Sequence, residues 1–473
     1  MSTSSTKPGA ASYRTALLIL TIFIAVNALV SAFTVDGAAL KFGGDAGSWY
    51  QPTLGLLKHG RFVDPDDPAK LLTFRPPLYP LFAALMLWLS GGAMWSIVAA
   101  QLALLFATGW LARAITERWL PGYGNLMLVL VIFNPNALGT AHLFQSDTLY
   151  AFSIAAVFWA LFAFAKNQTW SLAISSGALL GISLLVRTTG QFLIYVWPLA
   201  LLLLGVLTSG ARVWVGSLAK GLMAAIVAFA IIVPWMLHNQ RAGEGFTLSN
   251  NFLKSYFLWD NISYLEKYDK NIGQTEAERA MEARQKQLSV QFGHDFEQLS
   301  DRNKYAYLAD KGREQFLSYP VRTFTRAFGW AWAQYYGIPG VSNFMNLFDL
   351  GGETAFARFR RQQYDNYIDA GFDALKNASP VFVSLTAAGF LFVFVLRGLG
   401  LFGVFTLFRR RLWPVLLIVG AGVGYFTLIH LLVANSRYRL PIEPILFLLA
   451  LYGLDGWRCW RVSSEKAVEN RLA

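Results

Sequence analysis

The chain is poor in cysteine and in charged residues. Its single cysteine, Cys459, excludes an intramolecular disulfide and any multi-cysteine metal site. Only 14% of the 473 residues are charged, whereas 55% are hydrophobic and 15% are aromatic. A soluble protein of this length could not bury so much apolar surface, so the composition indicates a polytopic membrane protein.

Other familiar features are absent as well. The sequence has no internal repeat, no low-complexity tract and no glycine-rich phosphate-binding loop, which disfavours a soluble nucleotide as donor or energy source. The net charge is +12, but the Lys and Arg residues cluster at the ends of hydrophobic segments. That pattern is typical of membrane topology rather than of nucleic-acid binding. The polar N-terminus lacks a small-residue cleavage pattern, so we expect the first hydrophobic segment to be a retained anchor.

Hydrophobic segments of about 17–25 residues suit a bilayer. They predict membrane-spanning helices at 15–35, 93–115, 124–143, 148–166, 170–186, 191–208, 218–237, 380–408, 412–434 and 441–457. The run Pro77–Leu89 is too short to cross and is predicted to lie in the interface. With that segment kept outside, basic residues such as Arg409–Arg411 fall on the cytoplasmic side together with both termini.

The predicted fold is therefore an all-α polytopic membrane protein of the cell (inner) membrane, with about ten transmembrane helices and additional interfacial helices. We divide the chain into a transmembrane core at 1–237 with a first outer loop at 36–92, an extracytoplasmic and interfacial segment at 238–379, and C-terminal transmembrane hairpins with a cytoplasmic tail at 380–473. The aromatic, amphipathic stretch near 321–337 is expected to lie on the membrane surface.

The first outer loop contains the most informative polar residues. It places Asp45 in the motif GGDAGSWY, close to a membrane span, and continues to an Arg-Pro-Pro sequence at Arg75. An ionisable group held beside a bilayer is costly, which makes Asp45 a functional candidate. The alternative is an ordinary solvated loop.

Three further outer segments contain titratable groups in the same topology: the turn HLFQSDTLY with Asp147, the segment 238–379, and the turn ANSRYRLPIEP with Arg437, Arg439 and Glu443. Asp45 and Asp147 could face one cavity, where a carboxylate can act as a general base or hold a divalent cation. The alternative for Asp147 is a capping role at the start of a helix.

Four arginines at outer span ends run against the positive-inside rule. They are Arg75, Arg187, Arg437 and Arg439. A guanidinium group matches the oxygens of a phosphate, so a lipid phosphate is the simplest ligand for them. The alternative is snorkelling to ordinary lipid headgroups.

The order of these motifs resembles the GT-C superfamily of membrane glycosyltransferases that use polyprenyl-phosphate sugars. The resemblance is to the bacterial branch related to protein O-mannosyltransferases and aminoarabinose transferases. The matching motifs extend over most of the chain and are GGDAGSWY, FRPPLYPLFAALML, NPNALGTAHLFQSDTLYAF, LLVRTTGQFLIY, HNQRAGEGFTLSNN and NSRYRLPIEPILFLLA.

The resemblance implies roles for individual residues. Asp45 would be the catalytic base and Asp147 the second acidic residue, while Arg75, Arg437 and Arg439 would bind the donor phosphate. The substrate cavity would include Tyr50, Tyr79, His238, Arg241 and Tyr438. Because Ala46, and not a second acid, follows Asp45, the resemblance leaves a requirement for a divalent metal ion open.

The implied activity is inverting transfer of a single sugar from a polyprenyl-phosphate carrier to an extracytoplasmic glycan, lipid or protein. The implied partners are this donor, the acceptor and membrane lipids, without nucleic acid. The chain has no counterpart of the soluble C-terminal domain of oligosaccharyltransferases, so en bloc oligosaccharide transfer is not expected.

Two alternatives remain. A lipid-linked glycan flippase or other transporter is disfavoured because the spans are nearly free of charge at their centres. A polymerase or ligase that uses lipid-diphosphate glycans is disfavoured by the first-loop Asp and the Arg-Pro-Pro order.

Overall fold

The computed structural model describes residues 10–33, 45–249, 256–299, 301–348, 379–430, 432–433 and 435–472. These ranges are helical almost throughout, and the β-structure within them is one isolated bridge between Val63 and Leu71. The prediction of an all-helical polytopic membrane protein is therefore confirmed. Residues 36–44 of the predicted outer loop, and residues 250–255, 300 and 349–378 of the predicted extracytoplasmic segment, lie outside the described residues.

The α-helices in the N-terminal half are α1 (Ala10–Phe33), α2 (Ala46–His59), α3 (Leu78–Leu89), α4 (Trp95–Trp119), α5 (Gly124–Ile132), α6 (Pro135–Ala141), α7 (Asp147–Lys166), α8 (Trp170–Val186), α9 (Leu193–Ser209) and α10 (Trp214–Arg241). The remaining ones are α11 (Tyr256–Lys270), α12 (Gln274–Phe292), α13 (Asp301–Ser318), α14 (Val321–Gly337), α15 (Val341–Met345), α16 (Pro380–Arg409), α17 (Trp413–Ile429) and α18 (Glu443–Leu472).

Every predicted span corresponds to a helix or to a bent pair of helices. Within the described ranges, six helices are long and apolar enough to cross a membrane, and the bent pair α5–α6 makes a seventh. The helices α8, α9 and α17 are apolar and 17 residues long. The 12-residue α3 is shorter than a bilayer crossing requires, in agreement with its predicted interfacial position.

One predicted span is not a single helix. The segment 124–143 divides at Asn134, and the axes of α5 and α6 differ by 52°. Pro135 cannot donate a backbone hydrogen bond and disfavours the helical conformation of the residue before it. Asn134 is accordingly extended, and its side chain accepts a hydrogen bond from the Asn136 amide to begin α6.

Small residues allow the C-terminal helices to approach closely. A Cβ atom on Gly403 in α16 would lie 1.9 Å from the Leu449 carbonyl oxygen in α18. A Cβ atom on Gly453 would lie equally close, at 1.9 Å, to the Leu399 carbonyl oxygen. Backbone contact of this kind is a common means of helix association in lipid.

The polar residues lie at two opposite ends of the helix bundle. Asp147 begins the 20-residue helix α7 and Lys166 ends it, so these residues lie about 30 Å apart. We call them the Asp147 end and the Lys166 end. At the Lys166 end, the Lys166 ammonium donates to the Arg118 carbonyl oxygen over 2.7 Å, and an Arg410–Asp455 ion pair of 2.7 Å joins α16 to α18.

The described residues between α10 and α16 include helices α11 to α15. Helices α11, α12 and α13 enclose a small apolar core that includes Trp259, Met281 and Leu308. The amphipathic α14 carries exposed tryptophans at Trp330 and Trp332, as expected for a helix at a membrane surface.

Arg397 is an exception to the expectation that the spans are nearly free of charge at their centres. It lies within the 30-residue helix α16 and pairs with Glu443 at the first turn of α18, with 3.2 Å between Arg397 Nη2 and Glu443 Oε2. A buried charge inside an apolar helix is tolerated when it is paired, and the hydropathy of the surrounding residues concealed it in the sequence.

Candidate active site

Asp45 stands at the beginning of α2 and is held by arginines from opposite ends of the chain. Its Oδ1 lies 3.2 Å from Nη2 of Arg75, and its Oδ2 lies 2.9 Å from Nη2 of Arg437. The Asp45 side chain is 40% exposed, while both arginines are mostly covered. A charged, partly open carboxylate with one guanidinium on each oxygen differs from the solvated loop residue of the alternative interpretation.

The first turn of α2 also positions Arg75. The Nε of Arg75 donates to the Ser48 hydroxyl over 2.8 Å, and its guanidinium carbon lies 4.7 Å from the Trp49 ring centroid. The Phe74 ring stands at a similar distance of 4.8 Å. Stacking and hydrogen bonding together restrict the guanidinium to one orientation.

Asp147 begins α7 and forms a second ion pair, with Nη1 of Arg187. Its side chain is 5% exposed. The Arg187 guanidinium lies over the rings of Tyr150 and Tyr438, at 5.9 and 5.4 Å. The preceding Ser146 makes no side-chain capping bond, so the capping alternative for the Ser-Asp pair is not what the structure contains.

Arg437 links the two acidic residues. It lies in a short 3₁₀ turn, Ser436–Ile442, and its Nη1 donates to the Gln145 side chain two residues before Asp147. Its Nη2 donates to Asp45 and to the Tyr438 hydroxyl, the latter over 3.1 Å. The buried Nε of Arg437 has no hydrogen-bond partner among the described residues.

The assembled site has an excess of positive charge. Two carboxylates, Asp45 and Asp147, meet an arginine cluster that we define as Arg75, Arg187 and Arg437. Three guanidinium groups against two carboxylates leave one net positive charge as long as the neighbouring Asp260 carboxyl is protonated. A partly open site of this composition suits an oxyanion such as a phosphate.

The arginines also keep Asp45 ionised. Burial alone would raise the pKa of the Asp45 carboxyl, but the charges of Arg75 and Arg437, with a smaller contribution from Arg187, hold it below its ordinary value. Asp45 is thus a carboxylate at neutral pH. Its basicity is restrained as long as both arginines pair with it.

A divalent cation does not fit this set of side chains. Both carboxylates are already neutralised by guanidinium groups, so neither is available as a charged ligand for a cation. Within the described part of the chain, no three His, Cys, Asp or Glu side chains are close enough to hold a metal ion together. We therefore assign no metal-dependent step to the site.

Arg439 does not belong to the arginine cluster, contrary to the expectation from the sequence. Its side chain is 1% exposed, and each guanidinium nitrogen has a protein acceptor. Nε donates to Glu443, Nη1 to the Tyr335 carbonyl oxygen, and Nη2 to the Ile338 carbonyl oxygen over 3.0 Å. A phosphate would have to displace these acceptors in the protein interior, so Arg439 is a structural residue.

Tyr79 is also a core residue rather than part of an open cavity. It is fully buried, its hydroxyl donates to the Gln101 side chain over 3.2 Å, and its ring packs edge-on against Trp49 and Phe144. Tyr50 follows Trp49 in α2. Its ring contacts Phe144, and the residue is partly exposed near the site.

His238 and Arg241 lie together at the end of α10. The His238 ring stacks on Trp235 with centroids 4.5 Å apart, and its Nε2 is 3.3 Å from the Leu72 carbonyl oxygen. Arg241 is exposed. Among the described residues, neither side chain forms a hydrogen bond or ion pair with the arginine cluster. Tyr438, by contrast, packs directly against it.

The sequence interpretation overlooked Ser48, Gln145 and the pairing of Arg187 with Asp147. Signals for the first two were present. Ser48 follows Asp45 by three residues on a helix and therefore lies on the same face. Gln145 occurs in the same short motif as Asp147.

Comparisons with known proteins come from solved structures. The chain is similar to ArnT from Cupriavidus metallidurans. The crystal structure in the apo state is 13% identical, with a TM-score of 0.40, and the match covers 93% of this chain and 78% of that chain. For the structure bound to undecaprenyl phosphate, the identity is 15% and the TM-score 0.38, with 94% and 78% covered. No protein-family model and no curated protein matches the sequence.

The chemistry of the site rests on the side chains of this chain.

Proposed function

We propose that the protein transfers a single sugar from a polyprenyl-phosphate carrier to an extracytoplasmic acceptor, with inversion at the anomeric carbon. The observation that supports this most strongly is the arginine cluster against Asp45. A carboxylate on one side and an anion-binding surface on the other are what such a transfer requires.

In the proposed reaction, the acceptor hydroxyl attacks the anomeric carbon from the face opposite the phosphate. The bond between the anomeric carbon and the phosphate oxygen breaks, and its electrons remain on the phosphate. Asp45 takes the proton of the attacking hydroxyl. Arg75 and Arg437 stabilise the negative charge that develops on the leaving phosphate, an interaction that strengthens in the transition state.

The ion pairs of Asp45 couple donor binding to base strength. Arg75 and Arg437 restrain the basicity of Asp45 in the free protein. A donor phosphate that binds these guanidinium groups would weaken their ion pairs with Asp45 and raise the pKa of Asp45. The base would then become effective only when a donor is bound.

The membrane setting is compatible with a lipid-linked donor. Helix α3 follows Arg75 directly and exposes a row of large apolar side chains: Leu81, Leu85, Trp88 and Leu89. The proposed orientation places the Asp147 end at the extracytoplasmic face of the inner membrane and both termini in the cytoplasm. The prenyl chain would lie among the spans while its phosphate reaches the arginine cluster.

A transporter of lipid-linked glycans is the second candidate function. It is favoured by Arg397 inside α16 and by the bend between α5 and α6, since charged and broken spans are typical of transporters. The paired carboxylate and arginines at one end of the bundle favour transfer chemistry over it.

The test uses the purified protein with a panel of short-chain polyprenyl-phosphate sugars and solubilised envelope lipids and glycans. Transfer is expected to release the free prenyl phosphate and to add one sugar to an acceptor, with inverted configuration measured by NMR. Mass spectrometry of envelope glycolipids and glycans from cells with and without the protein identifies the product. Translocation of a lipid-linked glycan across proteoliposomes without any transfer would contradict the proposal.

A further inference from the structure

Three ionised side chains meet inside the bundle, away from the candidate active site. Glu443, at the first residue of α18, accepts from Nε of Arg439 and from Nη2 of Arg397, the latter over 3.2 Å. We call these three residues the buried triad. From Arg397 to the end of α16 at Arg409 is about 18 Å along the helix axis, so the triad lies deep in the apolar part of the bundle.

The buried triad joins three elements of the fold. Arg397 belongs to α16, and its Nε also donates to the Tyr336 carbonyl oxygen over 3.4 Å. Arg439 bonds to the carbonyl oxygens of Tyr335 and Ile338 at the end of α14. Glu443 is the acceptor that both guanidinium groups share, and it is 3% exposed.

The triad holds the turn that carries Arg437. Further contacts act on the same backbone, because the Tyr335 hydroxyl donates to the Tyr438 carbonyl oxygen over 3.2 Å and the Asn136 side chain donates to the Ser436 carbonyl oxygen over 2.8 Å. Arg439 is two residues from Arg437. Any shift of Arg439 would therefore move Arg437 relative to Asp45.

Stability alone is a poor explanation for the buried triad. Three buried charges cost desolvation energy, and apolar side chains of similar volume often stabilise a fold equally well or better. A buried polar network instead specifies one arrangement of its neighbours. The turn that it specifies here contains an active-site arginine.

We propose that Glu443 is a positioning residue of the active site, which acts through Arg439 and Arg397 to set the position of Arg437 beside Asp45 and Gln145. The inference builds on the proposed function, since the purpose of the placement is to bind the donor phosphate.

The first experiment measures the position of the turn without any ligand. Cysteines introduced by Asp45→Cys and Arg437→Cys are cross-linked with a short bis-maleimide in the full-length protein, and the native Cys459 lies at the Lys166 end. The expected result is efficient cross-linking with Glu443 present and several-fold slower cross-linking with Glu443→Gln. Equal rates would overturn the inference, whether or not the protein binds phosphates.

The second experiment measures binding of farnesyl phosphate to the purified full-length protein by calorimetry. We expect Glu443→Gln and Arg437→Ala each to weaken binding by about tenfold or more, as expected for loss of a charge-assisted contact. The double variant should bind no more weakly than Arg437→Ala, because Glu443 acts through Arg437. Additive losses, or unchanged binding by Glu443→Gln, would overturn the inference.

Two controls separate positioning from folding. Asp455→Asn removes the other ion-paired carboxylate of α18, at the Lys166 end, and should leave binding unchanged. The variant Arg397→Leu/Glu443→Leu/Arg439→Met replaces the buried triad with apolar side chains and should retain the wild-type melting temperature while binding the phosphate weakly. Wild-type binding by this variant would show the triad to be structural only. Absence of binding by the natural protein would contradict the proposed function, while the cross-linking result would still decide the role of Glu443.

Discussion

Nη2 of Arg437 lies 2.9 Å from Oδ2 of Asp45, although the two residues are 392 positions apart in the chain. Arg75, on the other oxygen of Asp45, comes from the same outer loop as the carboxylate itself. The site thus has two halves. The local half, Asp45 and Arg75, is built on the first turn of α2, and the distant half, Arg437, belongs to the turn before α18. The two halves have different sensitivities to mutation.

Replacing Asp45 tests the local half. Asp45→Asn preserves the size of the side chain but removes the proton acceptor, so sugar transfer should fall by about 10²–10⁴-fold. The matched control is Asp64→Asn, because Asp64 forms an ion pair with Lys70 in the same loop and does not contact the arginine cluster in the described part of the chain. Transfer by each purified, folded variant is the measurement. Wild-type rates for Asp45→Asn would remove Asp45 from the mechanism.

Substitutions in the arginine cluster should separate the contribution of positive charge to donor binding from that of guanidinium geometry. At Arg75 or Arg437, Lys retains the charge without the planar fork, so donor use should weaken but persist. Substitution by Ala should lower it by about 10–100-fold. The exposed Arg212 serves as a control, and Arg212→Ala should have no effect. Rates are measured against donor concentration at constant acceptor. Lipid-headgroup anchoring, the alternative role for these arginines, predicts the same donor dependence in every variant.

The sequence predicted that the charged residues lie at one end of the bundle, but it did not predict their ion-pair partners. Hydropathy and charge placed Asp45, Arg75, Asp147 and Arg437 at one end of the bundle, where the structure has them. Arg439 occurs in the same basic turn as Arg437, two residues after it, yet the Arg439 side chain faces the protein interior. The direction of a side chain in a short 3₁₀ turn depends on tertiary contacts, which span patterns do not encode.

Other differences between the sequence-based predictions and the structure have a similar cause. A 19-residue hydropathy window averages over a single charge, so Arg397 was concealed by its apolar neighbours. Likewise, Tyr79 belongs to a motif that resembles a functional one, but it packs into the core. Helix location follows from local composition, whereas ion-pair partners and buried contacts depend on residues far away in the chain.

Donor affinity should depend on pH through Asp260. Partial desolvation raises the pKa of Asp260 to about 6 although the residue is still exposed to solvent, and the charges of Glu278 and Asp45 add to the rise. Asp260 is therefore neutral below that pH and negative above it, where its charge opposes an anion near Asp45. The KM for a phosphodiester donor, which does not itself titrate in this range, should increase about two- to fivefold as the pH rises through 6.

In Asp260→Asn, the inflection near pH 6 in the pH dependence of the donor KM should disappear. Donor affinity should then stay high above pH 6. Asp310→Asn alters an exposed carboxylate on α13 and should preserve the wild-type pH profile. An unchanged inflection in Asp260→Asn would assign it to another group.

Packing of α16 against α18 gives a prediction about stability. Gly403→Ala places a methyl group against the Leu449 carbonyl oxygen and should destabilise the protein by about 1–3 kcal/mol. Gly398, on the same helix, has no heavy atom near its Cβ position, so Gly398→Ala should be neutral or slightly stabilising. Melting temperatures in detergent compare the two variants. Equal melting temperatures would contradict close helix contact at Gly403.

Membrane orientation can be measured independently of activity. Single cysteines in a Cys459→Ser background should react with a membrane-impermeant maleimide on the extracytoplasmic side at Lys58 and Glu276. Positions Arg118, Arg410 and Lys466 should react only after permeabilisation. Ser436 is also expected on the extracytoplasmic side. Because it is buried, a cysteine at this position should react only when the protein in sealed membranes is denatured. Extracytoplasmic labelling at Arg118 would mean that α3 crosses the membrane.

The separation of Asp45 and Arg437 along the chain also sets an order during biosynthesis. At about 5–20 residues per second, ribosomes need roughly 20–80 seconds to proceed from one residue to the other. During that interval the nascent protein already has Arg75 beside its carboxylate but lacks the second guanidinium. A membrane-inserted chain released before its last helix pair would therefore use prenyl phosphates about 10–100-fold less well, as expected for the loss of Arg437, so incomplete translation products would compete poorly for the lipid carrier.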